Sequence, residues 1–161
     1  MAQPSRSKLK EPSVRESKAL IIAGLQEHYT PETVGEIPKL WQQLMPHLGK
    51  ISRQIGRATC GVGFNMDERG FDYIAGVEVS DASGIPSGFS QLSIPAQKYY
   101  VFAHEGHVSE IPKTITAILN EWAPASRRRI GEFPSLLERY GEGFNPQTGT
   151  GDMELWLPAQ S

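Results

Sequence analysis

The sequence has a single cysteine, Cys60, so no intrachain disulfide can form. A reducing compartment, and with it a cytoplasmic location, is the simple expectation. No apolar run approaches the roughly 18 residues that read as a membrane-spanning helix. The first 17 residues, MAQPSRSKLKEPSVRES, lack the apolar centre of an export signal and read as a flexible N-terminal tail. An excess of one charge is lacking too: Lys plus Arg number 16 against 18 for Asp plus Glu. That balance argues against direct nucleic-acid binding, which draws on a basic face. The one basic run, Arg127-Arg128-Arg129, follows a predicted helix end and reads as a solvated turn. The glycines of CGVGFN and YGEGFN are not followed by Gly-Lys-Ser/Thr, so neither forms a phosphate loop. His104 and His107 stand three apart in HEGH, not at the four-residue spacing of a zinc helix. No metal site and no cofactor are expected. Cys60, inside the apolar run RATCGVGF, reads as a small buried residue and not as a nucleophile.

What the sequence does have is repetition. VGEIPKLWQQLM begins at Val34 and VSEIPKTITAIL at Val108, an offset of 74 residues. GVGFN begins at Gly61 and GEGFN at Gly141, an offset of 80. A self-match in the same order in both halves points to an internal duplication. In the first half, Ala19 to Leu25 predict a strand. Thr33 and Glu36 have capping-box spacing, with Pro38 in the first turn of a helix. Ile37, Leu40, Trp41, Leu44, Met45 and Leu48 give that helix an amphipathic stripe, and Pro46 ends or kinks it. TCGVGFNM and FDYIAGVEV follow as strands joined by DERG. The second half repeats the order: a strand over Tyr99 to Ala103, a helix with Ile111, Ile115, Ile118, Leu119 and Trp122 ended by Pro124, then strands in SLLERYGEGF and DMELWLP.

The expected fold is therefore α+β. Two strand-helix-strand-strand modules, about 18–80 and 88–160, make one domain over 18–160 with pseudo-twofold symmetry. A lone module of this size has a marginal core, so the two share one and leave a central ligand cleft where they meet. Function is sought where the copies diverge. At the offset of 80, FDYIAGVEV faces GDMELWLPA, so Glu154 replaces Ile74 and Trp156 stands against Gly76. A tryptophan facing a glycine leaves a slot if the strands adjoin. Glu154 and Trp156 share a strand face, apart from Met153, Leu155 and Leu157. A carboxylate beside an aromatic wall suits a lipophilic cation through charge pairing, cation–π attraction and apolar contact. The same group could serve as a general acid or base. The alternative is a solvent-facing residue on an edge strand. Trp122, near its helix end, is placed to line a groove. Tyr73 and Phe102 are strand aromatics with core as the default, and Glu78 lies on the face equivalent to that of Glu154.

The run WQQLMPHLGKI, YIAGVEVSDASGIPSGFSQLSIPAQKYYVFAHEGHVSEIPKTITAILNEWAPAS and FPSLLERYGEGFNPQTGTGDMELWLPA resembles the GyrI-like small-molecule-binding family. That family also supplies the effector-binding domain of AraC-type and MerR-type multidrug regulators. The resemblance covers about residues 18–160. It implies two fused modules and a cleft for bulky lipophilic, often cationic, compounds. It also implies an acidic residue on the closing strand, here Glu154, with Trp156 and Tyr73 lining the cleft. Some members resemble hydrolases of cyclopropane-bearing toxins, which makes Glu154 the catalytic candidate under that alternative. The founding member is described as a gyrase inhibitor, which adds a protein partner as a further alternative. No helix-turn-helix segment is present, so a free-standing small-molecule binder is the expectation.

Overall fold

The computed structural model describes residues 9–160. The first eight residues of the expected tail lie outside them. Eight strands form one antiparallel sheet: β1 (Ser13–Ser17), β2 (Leu20–Tyr29), β3 (Thr59–Asp67), β4 (Gly70–Val79), β5 (Ser90–Ile94), β6 (Gln97–Ala103), β7 (Leu136–Tyr140) and β8 (Met153–Pro158). Their spatial order is β1-β6-β8-β7-β3-β4-β2-β5. Helix α1 (Ile37–Leu44) connects β2 to β3. Helices α2 (Ile111–Ala117) and α3 (Ala123–Ser126), joined by a π turn over Ile118–Trp122, connect β6 to β7. The fold is α+β as expected, and each half runs strand, strand, helix, strand, strand, one strand more than the expected module.

The strand order reads as its own counterpart from either end, with the seam at β3–β7. This fits the two-module reading. Two features depart from it. Residues 13–17, expected in the flexible tail, form β1, whose Ser13 to Ser17 pair with Val101 to Gln97 of β6. Alternating polar residues with one valine carry little strand signal, and the partner strand supplies the order. The stretch before the second helix holds two strands, since Pro95 separates β5 from β6. β5 pairs with β2 of the first half. Each half therefore takes its edge strand from the segment that precedes the other half, which ties the halves together.

The apolar stripe sets α1 as expected: Leu40 and Leu44 are buried against the sheet. Two local expectations fail. Thr33 does not cap the helix; its hydroxyl accepts from the Thr30 amide at 2.8 Å and closes the turn that precedes it. Pro124 does not end the second helix, which continues to Ser126. A proline ring collides with the carbonyl four residues back in an α-helix. The π turn just before it widens the helix there and removes that collision. The helix ends at Arg127, whose φ of 60° is left-handed. The Arg128 amide then reaches back to the Ala123 carbonyl at 3.1 Å.

The helices cover one face of the sheet. Tyr73, Ala75, Val77 and Val79 pack with α1, and Tyr100, Phe102, Tyr140, Met153, Leu155 and Leu157 pack with α2 and the π turn. The other face curls on itself. Ile22, Val62, Ile74, Ile94, Tyr99, Val101 and Leu137 form a cluster with no helical residue in it. Successive residues of a strand point to opposite faces, so every strand residue is assigned to one side or the other. Cys60 belongs to the helix-free cluster, and burial pushes its thiol up to about 12, which leaves it neutral. His104 is buried, with Nδ1 3.0 Å from the Thr114 hydroxyl and Nε2 2.9 Å from the His107 carbonyl. His107 accepts from the Ser109 amide at 3.0 Å at the start of the second helical segment. Both histidines thus hold the turn into that segment.

Candidate functional site

The seam between the halves carries an unusual row. Register partners run Phe102, Leu155, Glu138, Gly61, Ala75 and Leu25 across β6, β8, β7, β3, β4 and β2. All lie on the helix side. In the middle, a carboxylate faces a residue with no side chain. Glu138 is flanked on its own strand face by Leu136 and Tyr140, and Gly61 by Thr59 and Gly63. Gly61 and Gly63 leave a trench in an otherwise filled sheet. A Cβ on Gly61 would strike the Tyr73 hydroxyl and lie 2.6 Å from Glu138 Oε1. The missing side chain is what lets Tyr73 and Glu138 meet across β3.

Tyr73 and Tyr140 both donate their hydroxyls to Glu138 Oε1, each at 2.8 Å. Trp41 on α1 donates its indole N–H to the Tyr73 oxygen at 3.0 Å. The Trp41 and Tyr140 rings meet edge-on at 5.3 Å, and Tyr140 meets Phe144 at 4.8 Å. Burial pushes the Glu138 carboxyl above its ordinary value, and the two tyrosine hydroxyls offset this in part. Burial and the neighbouring carboxylate hold both phenols well above their ordinary value, so both remain donors. Among the described residues, Glu138 Oε2 has no hydrogen-bond partner, and it is not among the sealed polar atoms. The arrangement is an acid in a ring of three aromatics, with one oxygen committed and one open.

The six residues expected from sequence divide between the two faces. Tyr73, Phe102 and Trp122 stand on the helix side. Tyr73 touches Glu138 directly; Phe102 is in the Glu138 row. Trp122 packs edge-on against Tyr100 and Phe102 at 5.1 and 5.0 Å. Glu154, Trp156 and Glu78 are on the opposite face. There Glu154 accepts from Trp156 Nε1 at 3.0 Å and lies 3.5 Å from Arg15, whose guanidinium sits over the Trp156 ring. Glu154 borders a hollow of about 460 Å³ that Arg15, Arg57, Arg139, Glu142 and Asp152 also line. Its walls carry equal numbers of acids and bases, unlike the greasy setting expected. No slot forms between Trp156 and Gly76, because β7 and β3 stand between their strands. Gly76 pairs instead with Gly24 of β2.

Glu138 does not stand out in the sequence, because the sequence echo is out of step with the sheet. GVGFN matched to GEGFN sets Glu138 against Ala58. In the sheet, Gly61 pairs with Ala75 and Glu138 with Leu155. Ala75 and Leu155 are counterparts at the offset of 80, so Gly61 and Glu138 are counterparts too. They face each other at the seam itself. The signal that would have found them is an acid at the middle of an apolar strand face, Leu136, Glu138, Tyr140, together with alternate glycines in the matching strand. Among the described residues, no group of three or more His, Cys, Asp or Glu could hold a metal ion, and no helix is long and apolar enough to cross a membrane.

Comparison with known proteins agrees with this architecture. Residues 10–160 match the sequence model of the GyrI-like small molecule binding domain. The transcriptional regulator BrlR of Pseudomonas aeruginosa is 30% identical over 148 residues, covering 89% of this chain and 53% of that protein. The chain thus spans about half the length of that relative. Among solved structures, SAV2435 bound to tetraphenylphosphonium superposes with a TM-score of 0.73 at 16% identity, over 94% of this chain and 95% of that one. The EcmrR C-terminal domain gives 0.67 at 15%, over 96% and 99%. A hydrolase from Listeria innocua gives 0.58 at 12%, over 94% and 92%. At these identities the structural likeness speaks for the fold.

Proposed function

Because the chain belongs to the GyrI-like small molecule binding domain family, we propose that it binds a bulky lipophilic cation between its two halves, with Glu138 as the anchoring charge. The observation that carries this is the open Oε2 of a desolvated carboxylate ringed by Trp41, Tyr73 and Tyr140. Aromatic faces attract a cation, and the attraction grows as water is excluded. The carboxylate adds a charge that water screens poorly at this depth. A structural neighbour bound to tetraphenylphosphonium supports the ligand class. Glu154, already paired with Arg15 in a charge-balanced hollow, has less to offer a greasy cation.

The reading is tested by calorimetric titration with tetraphenylphosphonium, and with triphenylphosphine oxide as a neutral aryl control, across pH. Only the ionised carboxylate pairs with a cation. Affinity for the phosphonium should therefore rise as pH passes upward through the raised pKa of Glu138 and then level off. Binding near that pKa should release a proton, seen as a dependence of the heat on the buffer's ionisation enthalpy. The neutral control should bind at least about tenfold more weakly and without proton release. Equal affinity for both, independent of pH, would remove the carboxylate from the account.

A further inference from the structure

The chain has three tryptophans, and two of them have acceptors for their indole N–H. Trp41 donates to the Tyr73 oxygen and Trp156 to Glu154, both at 3.0 Å. The third does not: Trp122 Nε1 is sealed from solvent and, among the described residues, donates to nothing. A buried N–H without an acceptor costs free energy, and natural structures rarely leave one without a reason. The place where this occurs is also distinctive. Trp122 is the last residue of the π turn, and such turns recur at functional sites. The helix here passes from α to π winding and back to α without interruption.

The Trp122 ring rests on Phe102, and Phe102 lies in the same crosswise row as Glu138. Two strand spacings separate Phe102 from Glu138, with Leu155 between them, which is roughly 10 Å. Between the acid and the indole, Leu155, Phe102 and Leu157 are fully or almost fully buried beneath the helix that carries Trp122, so a ligand reaches this apolar ground by displacing that helix. We infer that Trp122 is a second recognition point of the cation site: the ligand is a lipophilic cation that also carries a hydrogen-bond acceptor, such as a carbonyl oxygen, roughly 10 Å from its charge. This rests on the cation-binding reading and narrows it from any greasy cation to one with two polar ends. The charge pairs with Glu138, the apolar body lies over the Leu155–Phe102 row, and the acceptor takes the idle indole N–H. Because the indole N–H is already unpaired in the free protein, a ligand with an acceptor gains a hydrogen bond there that an analogue without one forgoes.

The test compares two cations by titration: heptyltriphenylphosphonium, and the same cation with a ketone on the sixth carbon of its chain. Wild type should prefer the ketone by about fivefold or more, the scale of one net hydrogen bond. Trp122→Phe keeps a ring against Tyr100 and Phe102 but removes the N–H. It should abolish that preference, so that the two cations bind within about twofold of each other. Equal binding of the two cations by wild type needs no variant to interpret and overturns the inference. A Trp122→Phe loss shared equally by both cations also overturns it, because it assigns Trp122 to packing alone. If wild type binds neither cation, the cation-binding reading itself fails and this inference falls with it.

Discussion

Replacing Glu138 by glutamine is expected to weaken binding of a lipophilic cation by roughly 30- to 100-fold, about 2–3 kcal/mol, while making the free protein more stable at neutral pH. The two effects have one cause. A glutamine carbonyl can accept both the Tyr73 and Tyr140 hydroxyls in place of Oε1. It cannot supply the charge. In wild type that charge is held in a desolvated place, so the folded-state pKa of Glu138 lies above its ordinary value of 4.5. A carboxyl with a raised folded pKa favours folding fully below that ordinary value. The contribution is lost as pH rises through the folded pKa. Glu138→Gln should therefore gain about 1 kcal/mol near pH 7, or about 2–4 °C in Tm, and gain nothing near pH 4. Thermal unfolding at the two pH values checks the sign. Glu154→Gln makes the same chemical change on the other face and should leave cation affinity within about twofold, because the proposed site lies across the sheet from it. A stabilised but fully binding Glu138→Gln protein would detach the buried charge from recognition.

Gly61→Ala is expected to cost about 1–3 kcal/mol and to reduce cation affinity at least tenfold, from the addition of one methyl group. The new carbon would collide with the Tyr73 hydroxyl and lie 2.6 Å from Glu138 Oε1. The tyrosine cannot step aside cheaply: its ring is buried, and its oxygen is held by Trp41 and Glu138 at once. The matched change two residues on sets the scale. At Gly63, an added Cβ meets nothing closer than Phe71 Cδ2 at 3.9 Å. Gly63→Ala should change stability by no more than about 0.5 kcal/mol, and the entropy it removes from the unfolded chain works in its favour. Denaturant unfolding of the pair, with unchanged m-values, checks the contrast. Equal effects at both glycines would show that β3 resists side chains generally, with no special geometry at the seam.

The sequence displayed its architecture through periodicity and its site hardly at all. The stripe of Ile37, Leu40, Trp41 and Leu44 placed α1 because burial repeats along a helix and survives any error of alignment. The alternation around Tyr73, Ala75 and Val77 did the same for β4. What stayed hidden depends on contacts between distant parts of the chain. Ser13–Ser17 has no apolar alternation of its own and becomes a strand only because β6 offers a partner. In sequence, Glu154 stands out through its apolar neighbours Met153, Leu155 and Trp156. Neighbours in sequence point to alternate faces of a strand, so the first two enclose the opposite side. The surroundings of Glu138 come from Trp41, Tyr73 and Tyr140, the first two on other elements. Tyr73, Phe102 and Trp122 share the helix side of the sheet with Glu138, and only the three-dimensional register joins Tyr73 to it.

The central claim is that recognition takes place on the helix side of the β3–β7 seam. A crystal structure of this protein with tetraphenylphosphonium tests it most directly. The account predicts the phosphorus within about 6 Å of the Trp41, Tyr73 and Tyr140 rings, with Glu138 as the nearest carboxylate and its Oε2 turned toward the ligand. Cation density in the hollow beside Arg15, Arg139 and Glu154, with the Glu138 cluster undisturbed, would contradict it.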